Sequence, residues 1–276
     1  MIIRPAPITF ICGHCVTLHI GVQRFATVMR LADDEGGVEK LFFELSSESR
    51  LDILHELEKG NLRMQEVARR LDLTSTEAFR QLGRLSGSRL LEKRPDGSYA
   101  ITRYARLVLD LAPGFEFAHA NQEYLLEHDI WRMPPQFVRR IGELSKAQLV
   151  LNANDGIDRA ERLFLEAREF GWGMAEGRVP EAMRGLMEQK YREGMRLRFI
   201  IPEATLPNHA PPVQVPGIDT RAMPDIPAVV IRTDRGAGLF FRFEDGRMDY
   251  AGLFGDDRES MEFASDLFLH CWEKAR

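Results

Sequence analysis

The chain has 276 residues, 44% hydrophobic and 29% charged, the balance of a globular protein with room for about two domains at roughly 100–200 residues each. Three cysteines are too few for a disulfide framework, which points to a reducing, cytoplasmic setting. The longest apolar stretch, Ile8 to Val22, is broken by Thr9, Gly13, His14, Thr17 and His19 and falls short of the ~20 residues of a membrane helix.

The net charge of −5 conceals an uneven distribution. Residues 1–59 carry −3, residues 60–106 carry +5 and residues 107–276 carry −7. One basic window inside an acidic chain is the footprint of a single module that faces nucleic acid.

Cys12-Gly13-His14-Cys15 has the form of a disulfide-exchange site. That chemistry needs its first cysteine at a helix N-terminus, behind a βαβ unit. The preceding segment is too short for one, and the β-branched run Val16 to Val22 carries no helical stripe. The motif therefore reads as coincidental. Cys271, among Phe268, Leu269 and Trp272, reads as core. Residues 1–37 are expected to be disordered or mis-started, with Met29 as the alternative translation start.

A polar lead-in, Arg30 to Gly37, precedes the first patterned helical segment; Ser47 can cap a helix that carries Leu51, Ile53, Leu54 and Leu57 and stops at Gly60. A second carries Met64, Val67, Ala68 and Leu71 on one stripe. After a short break at Asp72-Leu73, Thr74 and Glu77 form a capping-box pattern at the head of a third helix. Phe79, Leu82 and Leu85 are expected to point inward, and Thr76, Arg80 and Arg84 outward, with Ser75 in the first turn and Gln81 beside the stripe. Two short helices, a tight turn and a helix of this kind make a helix-turn-helix, whose last helix can enter the major groove. Arginine and glutamine there suit guanine and adenine edges.

Leu91 to Arg94 and Tyr99 to Thr102 read as strands joined by the turn Pro95-Asp96-Gly97-Ser98. A hairpin in that place is a wing, with Lys93, Arg94 and Tyr99 in reach of phosphates or the minor groove. Thr102 then caps a helix carrying Tyr104, Leu107, Val108 and Leu111.

On these elements, residues 38–111 resemble an archaeal winged helix of the ArsR-like (arsenic-repressor-like) group. Metal sensors of that group carry two cysteines on the helix before the recognition helix. The matching stretch here, "NLRMQEVA", has Arg63 and Gln65 at those positions. The resemblance thus implies DNA binding without metal sensing at that helix, since a soft metal needs thiolates.

The stretch "YLLEHDIWRMPPQFVRRIGEL", Tyr124 to Leu144, is similar to the middle domain of the archaeal methanogenesis regulatory protein family (Fil-type regulators), which pair it with a winged helix. It implies a transcription regulator with a sensing C-terminal half. His119, His128 and Asp129 lack metal-ligand spacing, so a structural His-Asp hydrogen bond is expected and no metal.

Beyond residue 146 the types alternate. "AQLVLNAN" reads as a strand, Asp158 to Phe170 and Pro180 to Glu193 as helices, and "RLRFIIP", "PAVVIRT", "AGLFFRFEDGR" and "MDYAGLF" as further strands. Glu259 to Lys274 closes as a helix with Met261, Ala264, Leu267, Phe268 and Trp272 inward. "GWGMAEG", Gly171 to Gly177, is a candidate pocket lining, with glycines that let backbone approach a ligand and Trp172 as a flat wall; the alternative is that Trp172 is core beside a turn. "PNHAPPVQVPG" is a candidate surface loop, as a lid or a linker between strands. This half looks like the sensor domains of archaeal regulators such as the TrmB-like group, related in shape to the phospholipase D fold. That fold's catalysis uses an H-x-K pairing. None of Lys40, Lys59, Lys93, Lys146, Lys190 and Lys274 has a histidine two residues before it.

The expected architecture is α+β: a winged helix-turn-helix domain at 38–111, a helical connector at 112–147 and an α/β sensor-like domain at 148–276. The expected function is transcription regulation. The partners are double-stranded DNA, bound by Ser75, Thr76, Arg80, Gln81, Arg84, Lys93, Arg94 and Tyr99, an unknown small-molecule effector near Trp172, and a second copy of the chain. No enzyme activity, cofactor or membrane partner is expected. The alternatives are a protein-interaction adaptor built on a winged helix and, behind it, a phosphodiesterase-like enzyme.

Overall fold

A computed structural model describes residues 37–176, 181–204 and 218–276. The Cys12–Cys15 motif, the Met29 start and the proline-rich stretch therefore lie outside the described residues. The chain divides into two compact units, the first ending at Arg106 and the second running from Leu107 to Arg276.

The first unit holds α1 (Val38–Leu45), α2 (Glu48–Glu58), α3 (Met64–Arg70), α4 (Ser75–Gly87), β1 (Leu91–Lys93) and β2 (Tyr99–Ile101), and α5 (Arg103–Ala120) begins in it. Ile53, Leu54 and Leu57 of α2, Val67 and Ala68 of α3, and Ala78, Leu82 and Leu85 of α4 bury the core. At the head of α3 the Arg63 N–H donates to the Glu66 carboxylate at 2.8 Å. At the head of α4 the Thr74 hydroxyl accepts from the Glu77 N–H at 3.2 Å, the hydroxyl arm of the expected box. The two strands pair antiparallel with Leu91 opposite Ile101 and Lys93 opposite Tyr99. Gly97 turns the hairpin at φ +82°, where a side chain would be strained. Leu62 adds a third rung, exchanging backbone bonds with Tyr99 at 2.8 and 3.2 Å. This is a winged helix-turn-helix, as the sequence implies.

Phe79 departs from expectation: it is exposed, and Ala78 takes its place inside. At 3.6 residues per turn, Ala78, Leu82 and Leu85 fall within about 60° of one another, while Phe79 stands about 100° round from Ala78.

The second unit is a seven-stranded mixed sheet in the order β3-β9-β8-β7-β4-β5-β6. Its strands are β3 (Gln148–Val150), β4 (Phe170–Met174), β5 (Arg196–Pro202), β6 (Asp219–Met223), β7 (Val229–Thr233), β8 (Gly236–Phe240) and β9 (Gly252–Gly255). β4, β5 and β6 run parallel, and the other pairings are antiparallel. Helix α8 (Ala153–Glu166), with α9 (Glu181–Arg192) beside it, covers one face, and α10 (Arg258–Lys274) covers the other. The α8 boundary corrects the strand reading of "AQLVLNAN". The Asn152 side chain accepts from the Asn154 and Asp155 N–H groups and starts the helix there. The "GWGM" stretch forms strand β4.

The segment read as a connector belongs to the second unit's core. Besides the end of α5 it comprises α6 (Gln122–Glu127), α7 (Pro135–Val138) and two 3₁₀ turns, Ile130–Arg132 and Ile141–Leu144. Its Tyr124, Met133, Phe137 and Leu144 are buried with Phe241, Phe263 and Phe268. The Tyr124 hydroxyl donates to the Ala251 carbonyl at 3.1 Å and accepts from the Phe241 N–H at 3.2 Å. Burial pushes its pKa above the ordinary tyrosine value.

Tyr124→Phe leaves both backbone groups buried without a partner. We expect it to cost the second unit about 1–3 kcal/mol in a denaturant titration. A loss under about 0.5 kcal/mol would show that the hydroxyl carries no such weight.

Candidate nucleic-acid interface

The outward side of α4 presents Ser75, Thr76, Phe79, Arg80, Gly83 and Arg84, all exposed. Ser75 and Thr76 stand in the first turn and Arg80 one turn further, so hydroxyls precede a cation along the surface that a recognition helix turns to base edges. Arg80 has no ion pair among the described residues, and its charge adds to that of Arg50 and Arg84 nearby.

Arg84 is differently placed. Its Nε and Nη2 donate to the two carboxylate oxygens of Glu44, at 3.2 and 2.7 Å. Glu44 also pairs with Arg50 at 2.9 Å, and the side chains of Glu44 and Arg50 are only 10% and 8% exposed. Arg50 donates further to the Glu44 carbonyl at 2.8 Å and to Gln81 Oε1 at 3.3 Å. Phe43 lies against both guanidinium groups, 5.6 Å from Arg50 and 5.0 Å from Arg84. A bidentate carboxylate pair of this kind is among the stronger charge-assisted contacts, and it raises the pKa of Arg84 above the ordinary arginine value. The sequence reading made Arg84 and Gln81 base contacts. The structure makes Arg84 an anchor of α4 on α1, and Gln81, 6% exposed, an interior acceptor for Arg50.

On the wing, Lys93 and Arg94 are exposed. Arg94 pairs with Glu92 at 2.9 Å, with both side chains about half exposed. Such an exposed pair contributes little. Tyr99 corrects a further expectation: it is buried, its backbone carries the Leu62 rung, and Lys93 Nζ lies 5.7 Å from its ring. It supports the wing from beneath. The geometry thus leaves Ser75, Thr76 and Arg80 on the helix, with Lys93 and Arg94 on the hairpin, as groups able to meet a duplex.

Glu44, Arg50 and the outward Phe79 were missed from sequence. The signal for Glu44 was faint: a carboxylate at the end of an apolar run, "LFFEL". Phe79 was legible, since it lies four residues after Ser75 and three after Thr76.

In the second unit, Trp172 stacks on Phe268 of α10 with ring centroids 5.2 Å apart. With Phe170, Tyr191, Arg196, Arg198 and Asp219 it lines a cleft of about 710 Å³. Arg198 lies 6.0 Å from the Trp172 ring and 5.4 Å from the Trp272 ring, and its Nε stands 4.0 Å from the Asp219 carboxylate. Gly171 and Gly173 do not serve a ligand. A Cβ on either would come within 2.6 Å of Phe164 or 2.7 Å of Phe199 on the opposite face, so both are glycines for packing.

His128 is buried and bonds the Tyr124 carbonyl at 2.7 Å and Asp249 at 3.1 Å. The expected His-Asp bond therefore forms with Asp249. Asp129 instead accepts from the Trp131 N–H at 2.9 Å and starts a 3₁₀ turn.

No protein-family model matches the chain, and no curated protein matches it. Among solved structures it is similar to TrmBL2, an archaeal chromatin protein, at 11% identity and a TM-score of 0.41, over 93% of this chain and 99% of that one. It is also similar to Nuc, a phospholipase D family member from Salmonella typhimurium, at 13% identity and a TM-score of 0.38, over 47% of this chain and 95% of that one. NucT from Helicobacter pylori gives 13% identity and 0.38, over 47% and 96%. With every score below 0.5, these likenesses carry no weight for function.

Glu44→Gln removes the charge on which Arg50 and Arg84 converge. We expect it to destabilise the first unit by about 3 kcal/mol, since it leaves a buried guanidinium without its counter-ion. Arg84→Ala, which leaves Arg50 paired, should cost distinctly less, because the Arg84 side chain is partly open to water. Equal losses in chemical denaturation would contradict this division.

Proposed function

We propose that this protein is a DNA-binding transcription regulator whose first unit seats α4 in the major groove and whose second unit senses a small molecule. One observation carries the reading. The exposed Ser75, Thr76 and Arg80 face of α4 and the exposed Lys93 and Arg94 of the wing belong to the one basic segment of an acidic chain. Electrostatic attraction to the phosphates supplies affinity, and α4 supplies the contacts that distinguish sequences.

A winged helix spans few base pairs, so the working form we propose is a two-fold pair on half-sites about one helical turn apart. Leu107 and Leu111, exposed on α5, offer an apolar surface for such pairing. Placement among archaeal ArsR-like regulators of the methanogenesis type is part of the proposal and rests on the Tyr124 to Leu144 stretch. On this reading the second unit is a sensor, not an enzyme.

The cleft beside Trp172 suggests the effector's chemistry. Flat aromatic walls and the cations Arg196 and Arg198, opposed by the one carboxylate of Asp219, favour a small anion with a planar apolar body.

Two measurements test these statements. In fluorescence anisotropy on duplex DNA selected from a random library, wild type should bind at two chains per duplex, with log affinity falling linearly with log salt. Arg80→Ala should lose about 1–3 kcal/mol of selective binding; an unchanged affinity would remove α4 from the interface. For the cleft, benzoate and indole-3-carboxylate serve as probes. Binding should quench tryptophan fluorescence in wild type and fail in Arg198→Ala; equal quenching in both would rule the cleft out.

A further inference from the structure

We propose that Phe79 reads the 5-methyl group of thymine in the major groove. The inference rests on the DNA-binding reading and names a specificity contact within it. Phe79 is 66% exposed on α4, between Thr76 and Arg80. It lies in the first half of the helix, the part that reaches base edges in a helix-turn-helix. Among the described residues the fold makes no use of its ring: Ala78, Leu82 and Leu85 bury the α4 stripe without it.

The neighbouring side chains sharpen the assignment. Arg84 is held by Glu44 and Gln81 is interior. The groups left to read bases are thus two hydroxyls, one guanidinium and one ring. One turn on from Phe79, Gly83 has nothing within 4 Å of where a Cβ would stand. Packing among the described residues does not require a glycine there, and a glycine inside a helix is unfavourable by itself. Its effect is to leave the surface beyond Phe79 level, so that the ring meets an approaching surface without obstruction.

Of the groups a base pair presents in the major groove, the thymine methyl is the apolar one; the rest are hydrogen-bond donors and acceptors. An aromatic ring can satisfy none of the donors or acceptors. Set against a thymine, it removes the methyl and its own face from water together. Set against a guanine or cytosine edge, it strips water from polar groups and replaces none of their bonds. The ring therefore favours thymine over cytosine at one position per half-site, beside the position that Arg80 reads.

The test uses the full chain and the duplex that wild type enriches from a random library. Each thymine is replaced in turn by deoxyuridine, which differs only in lacking the methyl. For wild type, one thymine per half-site should lose about three- to tenfold in affinity on this change, the effect of one buried methyl. Phe79→Ala should bind the thymine and uracil duplexes within about 1.5-fold of each other at that position, while its salt dependence and its melting temperature stay those of wild type. Phe79→Leu, which keeps an apolar surface, should retain part of the discrimination. If Phe79→Ala keeps the full uracil penalty, another group reads the methyl and the inference fails. If wild type is indifferent to uracil at every thymine, it fails as well. If wild type enriches no duplex at all, the DNA-binding reading itself falls, a result distinct from either.

Discussion

The position of helix α4 depends on one buried carboxylate. Glu44, near the end of α1, is almost closed off from solvent and faces two guanidinium groups, Arg50 from α2 and Arg84 from α4. A carboxylate in that setting would be strongly unfavourable without partners of opposite charge, and the buried Arg50 would be so without the carboxylate. The three therefore fix one another. The apolar contacts among α2, α3 and α4 tolerate small slides, but a bidentate bond at 2.7 and 3.2 Å does not. The Glu44 pair is thus the restraint that sets how α4 presents Ser75, Thr76, Phe79 and Arg80.

The second unit is held by a comparable polar tie inside an aromatic core. Tyr124 and His128, on one turn of chain, stack with ring centroids 3.7 Å apart. Between them they bond Ala251, Phe241 and Asp249. These partners lie more than a hundred residues away and belong to the β8–β9 region. The segment from α6 to the second 3₁₀ turn is thereby built into the sheet domain, and Phe137 and Leu144 complete its core. The Tyr, His and Arg-Ile-Gly-Glu-Leu features that stand out in the sequence thus serve structural ends in this fold, whatever else they report about ancestry.

Much of the first unit is legible in the residues. Helix stripes, the Thr74 cap and the Pro-Asp-Gly turn are local signals, decided within a few residues, and the observed elements fall close to them. Strand β5 is read at its observed bounds because a short apolar run between Gly194 and a segment rich in proline has few alternatives. The failures share a cause. "AQLVLNAN" is strand at its start and helix from Ala153, because the Asn152 side chain caps a helix within an apolar-looking run. "GWGM" shows no strand pattern by itself, because glycines mark turns in isolation. In the sheet those glycines make room for Phe164 and Phe199, whose rings a Cβ there would meet at 2.6 and 2.7 Å.

The candidate interface divides along the same line. Its place on the chain, its basic charge and the outward placement of Ser75, Thr76, Arg80, Lys93 and Arg94 follow from composition and helical period, which are properties of the sequence alone. Which of its cations are available does not. Arg84 and Arg80 differ by one helical turn and are indistinguishable by type, yet one is tied to Glu44, forty residues earlier, and the other is not. Gln81 and Tyr99 are polar enough to suggest contacts and are buried instead. The sequence by itself determined the module and its charge, because periodicity and charge are local. Tertiary structure alone decided which side chains are spent on the protein's own interior, because that depends on partners distant in the chain and close in space.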